Sequence, residues 1–290
     1  MDKNSVLTLN SGTKMPRMGF GVFLVPPEET YRITMDAIEC GYPAIDTAAI
    51  YGNEEGVGKA IKESGKRKEL FITTKLWNAN HGYKKTLAAF DESMEKLKID
   101  FLDLYLIHWP GFNRNDRLET WRAMIELKEK GKIGAIGVSN FLIEHISDLI
   151  LETGVAPSTN QIECHPMLSQ NPILNYMNGR KITLTAWGPL MQGNVGEAPL
   201  LAEIGKRYGK SPQQVALRWN LQRDVIVIPK ASSKEHMLQN LDVYDFELTD
   251  AEMKDIDDID GDVHFAVRPE SFVTGFTNNT PTIDKMFSEE

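Results

Sequence analysis

The chain has 290 residues, 41% hydrophobic and 25% charged, a composition typical of a globular protein. Its formal net charge of −9 argues against nucleic acid and anionic membranes as partners. No apolar run is long enough to span a membrane, and no apolar core of a signal peptide follows Met1. Because the two cysteines, Cys40 and Cys164, suggest neither a disulfide framework nor a metal site, we expect a cytoplasmic protein with reduced thiols.

Strand-like and helix-like segments alternate along the chain after a short N-terminal hairpin, expected at residues 5–11. Strands are expected at residues 15–22, 44–48, 71–76, 102–108, 133–138, 158–164, 183–187 and 225–229. Helices are expected at residues 26–40, 54–63, 84–97, 117–130, 142–152, 172–179, 197–222 (split near Ser211), 233–241 and 249–259. Eight strand–helix units over roughly 250 residues predict an α/β fold of the (β/α)8 TIM-barrel type. A doubly wound sheet is the alternative, although it normally lacks eight evenly spaced units.

No composition shift or linker divides the sequence, so we expect a single domain over residues 1–290. The last segment, residues 262–290, is an irregular C-terminal tail that contains several phenylalanines, among them Phe265, Phe272 and Phe276, and shows no periodicity. Two interpretations stay open for this tail: a frayed end, or a lid that makes aromatic contacts next to the substrate.

Four titratable side chains are expected to meet at one end of the barrel. Asp46 ends the second strand, and Tyr51 lies in the loop before Asn53, the expected N-cap of the next helix. Lys75 and His108 lie at the ends of the third and fourth strands. The C-terminal ends of barrel strands share one face, where active sites are found. A strand histidine or a strand-end aspartate alone more often has a structural role, but the combination indicates an active site.

The residue types in this group indicate a reaction class. A lysine inside an apolar strand needs a compensating charge, and Asp46 is the obvious candidate for Lys75. A phenol has an ordinary pKa of about 10, and a nearby ammonium favours its phenolate, so Lys75 is expected to make Tyr51 a usable acid. His108 can orient a substrate oxygen. This arrangement suits proton delivery during carbonyl reduction. Because no side chain can supply hydride, a nicotinamide cofactor is implied.

The motifs that contain these residues resemble those of the aldo-keto reductases over essentially the whole chain. They are GYPAIDTA at 41–48 with YGNE at 51–54, TTKLW at 73–77, LDLYLIHWP at 102–110, IGVSNF at 136–141, NQIECHP at 160–166 and IPK at 228–230. Within that family, the sequence is most similar to bacterial-type members that reduce small aldehydes, ketones and diketones.

The resemblance implies a role for each of the four residues. Tyr51 matches the general acid, Lys75 and Asp46 match the pair that tunes its pKa, and His108 matches the residue that orients the carbonyl. The resemblance also implies NADPH as cofactor, with NADH as the alternative, and a small carbonyl compound as substrate. We expect a monomer, with an oligomer left open.

The resemblance also implies binding residues. For the cofactor they are Ser139, Asn140, Gln161, Trp187, Leu190, Lys230, Ser232, His236 and Asn240; for the substrate they are the apolar walls Phe23, Trp77 and Trp109. Ser139, Asn140 and Gln161 match residues that bind the nicotinamide carboxamide. Trp187 matches the aromatic residue that stacks on the nicotinamide, and Lys230 matches the lysine that pairs with the 2′-phosphate. No metal ligand is implied.

Two departures from the family pattern concern the cofactor, and a third concerns the substrate pocket. His236 replaces the usual arginine near the adenosine phosphate, and Gln239 replaces a glutamate near the adenine. A neutral histidine supplies less charge than a guanidinium, so we expect NADPH to be preferred by less than is usual. The loop at 111–115 is short, which predicts an open substrate pocket.

Two other functions are consistent with parts of the sequence. One is a cofactor-binding regulatory or redox-sensing protein with little turnover, against which the retention of all four catalytic residues weighs. The other is a barrel hydrolase with Asp46 and Glu163 as paired carboxylates. In a hydrolase of that type, Lys75 and Tyr51 would have no role.

Overall fold

A computed structural model describes residues 1–266 and residue 268. The strands are β1 Val6–Thr8, β2 Lys14–Pro16, β3 Phe20–Gly21, β4 Ala44–Asp46, β5 Phe71–Leu76, β6 Leu102–Ile107, β7 Ile133–Ser139, β8 Thr159–Glu163, β9 Thr183–Trp187 and β10 Ile226–Val227. The α-helices are α1 Pro27–Cys40, α2 Glu54–Ser64, α3 Tyr83–Leu97, α4 Arg114–Glu129, α5 Ile143–Thr153, α6 Asn171–Asn178, α7 Pro199–Tyr208, α8 Pro212–Gln222, α9 Lys234–Leu241 and α10 Asp250–Asp257.

Strands β3 to β10 form one eight-stranded sheet in which neighbours in sequence are neighbours in space. Every pairing in this sheet is parallel. A parallel bridge between Met18 and Val227 joins its two edges, and the Gly19 amide donates to the Val227 carbonyl at 2.8 Å. The predicted (β/α)8 barrel is therefore confirmed, and the C-terminal ends of its strands lie on one face.

The N-terminal hairpin is present, but its boundaries differ from those predicted. Val6 pairs with Pro16 in an antiparallel register around a turn in which Gly12 has a φ of 83°. The predicted strand at 15–22 is therefore divided: Met15 belongs to the hairpin, and the barrel strand begins only at Phe20. The predicted range, 5–11, contains only the first strand of the hairpin, because the second strand, β2, lies after the turn. Leu9 and Met15, both from the hairpin region, are buried near the starts of the barrel strands.

The helix boundaries follow local sequence signals closely. Helix α1 ends at Gly41, whose φ of 97° suits a left-handed cap. The segment at 197–222 is two helices, and Ser211 begins the second with a capping box to Gln214.

No helix among the described residues has the length and apolarity required to cross a bilayer.

Asn53 occupies the predicted N-cap position of α2, but its side chain does not cap the helix. Its Nδ2 donates to the Val22 carbonyl at 3.0 Å, and its Oδ1 accepts from the Thr47 hydroxyl at 2.8 Å. The residue is buried, so these two bonds satisfy the amide where water cannot. Asn53 therefore joins the loops that follow β3 and β4.

The predicted tail at 262–290 lies mostly outside the described residues, so its role stays a prediction. The described residues of the tail lie beside the C-terminal end of β8. His264 Nδ1 lies 3.1 Å from Glu163 Oε2, and the Phe265 amide donates to Glu163 Oε1 at 2.9 Å. Ala266 reaches the edge of the main cavity.

His81 is a buried group beneath the loop that follows β6. A Cβ atom added to Gly111 would lie 2.6 Å from His81 Nδ1, so the imidazole packs directly against this loop. Burial lowers the pKa of His81 to about 4, and the charges of Arg117 and Lys85 act in the same direction. Among the described residues, His81 Nε2 has no hydrogen-bond partner.

Because the unfolded chain binds this proton near pH 6.5 and the folded chain only near pH 4, the folded state should lose stability as pH falls between those values. The shift corresponds to about 3 kcal/mol at most. We expect His81→Leu, which cannot be protonated, to remove this component. Denaturant unfolding of both proteins at pH 7, 5.5 and 4 should show the variant gaining stability relative to the parent as pH falls. A constant difference across the three pH values would contradict the prediction.

Candidate active site

Lys75 is the best-buried cation near the barrel axis, with 0% exposure. Strands β4 and β5 pair so that Asp46 lies opposite Thr73, two residues before Lys75, and alternation directs both charged side chains inward. The Lys75 ammonium donates to Asp46 Oδ1, to the Thr47 carbonyl at 2.9 Å and to the Tyr51 hydroxyl at 3.4 Å. These three acceptors are the compensation that a buried ammonium needs.

The pKa values of this group follow from burial and from the ion pair. Burial lowers the pKa of Lys75, but the Asp46 and Tyr51 interactions raise it above its ordinary value. Burial raises the pKa of Tyr51 above 10, and the Lys75 ammonium opposes that rise without cancelling it. The Lys75 ammonium therefore shifts the pKa of Tyr51 in the expected direction, but burial outweighs its effect. Lys75 partly offsets the effect of burial.

His108 lies directly after β6, beside the other three residues. Its ring centroid is 5.6 Å from that of Tyr51 and 5.4 Å from that of Trp77. Burial lowers the pKa of His108 well below its ordinary value, and the Lys75 charge acts in the same direction. The imidazole is therefore neutral at pH 7. It can donate one N–H while it carries no charge.

One cavity of about 460 Å³ opens at the C-terminal end of the strands. Its lining includes most predicted site residues: Asp46, Tyr51, His108, Phe23, Trp77, Trp109, Ser139, Asn140, Gln161, Trp187, Leu190, Lys230, His236 and Asn240. Lys75 lies behind Asp46 and Tyr51, and Ser232 does not line the cavity. The cavity is also lined by Leu24, Ile50, Gln192 and Gln213, which were not predicted from the sequence. Ile50 lies inside the Asp46–Tyr51 motif, but the other three residues carry no recognisable signal.

Asn140 connects the ends of β6, β7 and β9. Its φ of 60° is unusual for a residue other than glycine, although asparagine tolerates it better than most. Its Nδ2 donates to the His108 carbonyl at 3.0 Å, and its Oδ1 accepts from Trp187 Nε1 at 2.9 Å. The amide therefore holds the backbone of His108 and the indole of Trp187 in fixed positions.

Gln161 lies inside the barrel, on β8. Its carbonyl accepts from the Ser139 hydroxyl at 2.7 Å and from the Asn140 amide at 3.0 Å. Its side-chain Nε2 donates to Asp46 Oδ2 at 2.7 Å. This contact with Asp46 could not be predicted from local sequence patterns, because the two residues are 115 positions apart.

Lys230 lies on the cavity wall, three residues after β10. Its ammonium donates to the Leu24 carbonyl at 3.3 Å, and partial burial lowers the pKa of Lys230. Within the described part of the chain, no carboxylate forms an ion pair with Lys230. An ammonium at a cavity edge without a carboxylate is suited to a phosphate group.

Glu163, which a hydrolase would need as a free carboxylate, is already engaged. Its two oxygens bind His264 and the Phe265 amide, and His165 Nε2 lies 3.4 Å from Oε1. Its predicted partner, Asp46, is engaged by Lys75 and Gln161. The paired-carboxylate arrangement is therefore not supported by the geometry.

The barrel, with this group of residues at the C-terminal ends of its strands, matches a family of known enzymes. The model of the Aldo/keto reductase family matches residues 17–261, and the chain belongs to that family. The predicted class of enzyme, an NAD(P)H-dependent oxidoreductase, is confirmed by this membership.

Relatives with assigned activities are close in sequence. The chain is 46% identical to the glyoxal reductase of Bacillus subtilis (strain 168), over 91% of this chain and 96% of that protein. It is 42% identical to the methylglyoxal reductase DkgA of Escherichia coli (strain K12), over 94% of this chain and 99% of that protein.

Solved structures agree with this assignment. An aldo/keto reductase from Brucella melitensis aligns with a TM-score of 0.86 at 44% identity, over 88% of this chain and 99% of that one. A Gox0644 mutant crystallised in complex with NADPH aligns with a TM-score of 0.88 at 39% identity, over 92% of this chain and 98% of that one.

Replacing Lys75 by methionine should leave the Asp46 carboxylate buried without a counter-charge. We expect Lys75→Met to lower the free energy of unfolding by about 3–5 kcal/mol, and the double variant Asp46→Leu with Lys75→Met to recover much of that loss. Denaturant unfolding measures both. Lys96→Met is the matched control, because Lys96 forms an exposed pair with Glu92 that should contribute less than about 1 kcal/mol. A single variant as stable as the control would refute the prediction.

Proposed function

We propose that the protein reduces small, uncharged aldehydes, ketones and diketones to alcohols, with NADPH as hydride donor and Tyr51 as proton donor. The observation that carries this proposal is the convergence of Tyr51, the Lys75–Asp46 pair and a neutral His108 on the wall of one cavity. The names of the glyoxal and methylglyoxal reductase relatives support the substrate class.

Proton delivery follows from the geometry around Tyr51. Burial raises the pKa of Tyr51, so the phenol is protonated at neutral pH. An alkoxide forming at a reduced carbonyl is far more basic than a phenolate, so transfer from Tyr51 is downhill. The Lys75 ammonium, 3.4 Å from the Tyr51 oxygen, then stabilises the phenolate that remains. The neutral His108 donates an N–H to the substrate oxygen, which keeps the carbonyl beside the acid.

The polar groups of the cavity fit a nicotinamide dinucleotide. Gln161 and Ser139 present amide and hydroxyl groups suited to a carboxamide, and the half-buried Trp187 offers a flat ring to an aromatic one. Lys230 offers an ammonium to a phosphate, with His236 and Asn240 beside it on the same wall. When bound, NADPH supplies the hydride that no side chain can supply.

The substrate end of the cavity is apolar. Phe23 lies against Tyr51 with ring centroids 5.0 Å apart, and Trp77 lies against His108. Of the cations in the described chain, Lys75 is nearest to this end, and Asp46 already neutralises it. A negatively charged substrate would therefore lose hydration without gaining a counter-ion, which favours uncharged carbonyl compounds.

A cytoplasmic location, a monomer, a single domain and a substrate-binding role for the tail stay predictions. An oligomer stays open in the same way. The tail is proposed as a substrate loop because its first described residues lead to the cavity, where Ala266 is part of the lining.

Tyr51→Phe should abolish carbonyl reduction, with a loss of at least about a hundredfold in kcat, because it removes only the transferable proton. NADPH affinity should stay within about twofold, since Tyr51 is proposed to contact the substrate rather than the cofactor. Absorbance of the nicotinamide measures turnover, and quenching of tryptophan fluorescence measures binding. Tyr31→Phe is the control, because that hydroxyl binds Glu63 at an exposed site. Full turnover by the Tyr51 variant would exclude Tyr51 as the acid.

His236→Arg should increase the preference for NADPH over NADH. In the parent we expect NADPH to bind more tightly than NADH, and the added guanidinium should strengthen NADPH binding by a further factor of about 5–20 while leaving NADH within about twofold. Dissociation constants for both cofactors, measured at low and high salt, test this. Tighter NADH than NADPH binding by the parent, or an equal gain for both cofactors, would show that the prediction is wrong.

A further inference from the structure

Both oxygens of the Asp46 carboxylate are engaged, by groups from opposite sides of the barrel. Oδ1 accepts from the Lys75 ammonium, which comes from the adjacent strand β5. Oδ2 accepts from Gln161 Nε2 at 2.7 Å, and Gln161 lies on β8, four strands from β4. Such a bond crosses the interior of the barrel. Asp46 is 5% exposed and Gln161 2%, so water does not compete strongly for either group.

The orientation of the Gln161 amide follows from its partner. A carboxylate paired with an ammonium can only accept hydrogen bonds, so the atom of Gln161 that faces Asp46 is the nitrogen. The carbonyl oxygen Oε1 then points elsewhere, and it accepts no hydrogen bond from the described residues. Gln161 also lines the main cavity. The Gln161 amide therefore has its Nε2 donor engaged with Asp46 and its Oε1 acceptor available toward the cavity.

The Gln161 amide affects the electrostatic field that Asp46 exerts on Tyr51. Burial raises the pKa of Tyr51, Lys75 lowers it, and Asp46 raises it again. The charged and titratable groups that face Tyr51 are Lys75 and Asp46, with His108 beside them as a neutral imidazole. A hydrogen bond to Asp46 Oδ2 withdraws negative charge from the carboxylate and so reduces the part of its field that opposes release of the Tyr51 proton.

We propose that Gln161 is a positioning residue for the proton donor, and that its amide couples occupancy of the nicotinamide site to the acidity of Tyr51. The proposal rests on the proposed function, in which Tyr51 is the acid and the cavity binds a nicotinamide. A carboxamide N–H that donates to Gln161 Oε1 polarises the amide and strengthens its bond to Asp46, since hydrogen bonds in a chain reinforce one another. Tyr51 is then most acidic when the nicotinamide site is occupied.

The test is the pH dependence of alcohol oxidation, in which Tyr51 acts as base. With saturating NADP⁺ and benzyl alcohol as probe, the acidic limb of kcat/KM reports the pKa of Tyr51 in the cofactor complex. Gln161→Met keeps the side-chain length and removes both polar atoms. Its limb should move to higher pH by about 0.5–1 unit relative to the parent. Gln161→Asn, which keeps an amide but withdraws it from Asp46, should shift the limb in the same direction, and it replaces the methionine variant if that one fails to fold.

Ser139→Ala is the matched control, because Ser139 is a proposed carboxamide ligand with no bond to Asp46. It should weaken NADP⁺ binding and leave the limb in place. An unmoved limb in both Gln161 variants would overturn the proposal, whether or not cofactor binding is weakened, because Gln161 would then act as a cofactor ligand or a packing residue only. Loss of the proposed function would be recognised separately, by turnover that survives in Tyr51→Phe.

Discussion

The ion pair between Lys75 and Asp46 is the interaction on which the site depends. An ammonium with no exposure is tolerated only because a carboxylate, a backbone carbonyl and a phenol surround it. All three acceptors come from one segment, the end of β4 and the loop that follows it, whereas the ammonium comes from β5. The barrel must therefore bring strand ends together accurately before the charge can be buried, and the catalytic geometry is set by the same requirement.

The pair also determines how acidic the phenol is. Desolvation alone would make Tyr51 a poor proton donor, and the cation offsets part of that penalty. The same cation, together with burial, keeps His108 neutral, so Tyr51 and His108, the two groups proposed to face a substrate oxygen, are both uncharged donors. Under that proposal, substrate binding requires no proton loss, and negative charge is created in the site only during the reaction. In our proposal, a third residue, Gln161, acts on this balance through the second oxygen of Asp46.

Much of the fold and the catalytic group could be predicted from sequence because the signals are local. The strand–helix alternation sets the barrel, and Asp46, Lys75 and His108 stand out as polar residues at the ends of apolar strands. The hairpin boundary could not be predicted in the same way, because β2 is defined by its pairing with β1 and not by its own composition. Asn53 shows a related limit: a cap position was recognised, but the competing acceptor at Val22 comes from a distant loop.

The contact between Gln161 and Asp46 was missed for a stronger reason. It exists only because the sheet closes, which brings β8 across the lumen to β4. The lining by Leu24, in the loop after β3, and by Gln213, at the start of α8, likewise depends on how distant segments pack around the cavity. The family resemblance supplied a cofactor role for Gln161 but did not indicate its contact with Asp46.

The hairpin at the opposite end of the barrel has an evolutionary consequence. Leu9 and Met15 are buried with Ala44, Phe71 and Leu104 in an apolar cluster at the N-terminal end of the barrel. Substitutions in the loops at the C-terminal end of the barrel do not disturb this cluster. Ligand preference can therefore differ among proteins that share this fold without any change in the hairpin cluster, because that cluster and the cavity lie at opposite ends of the barrel.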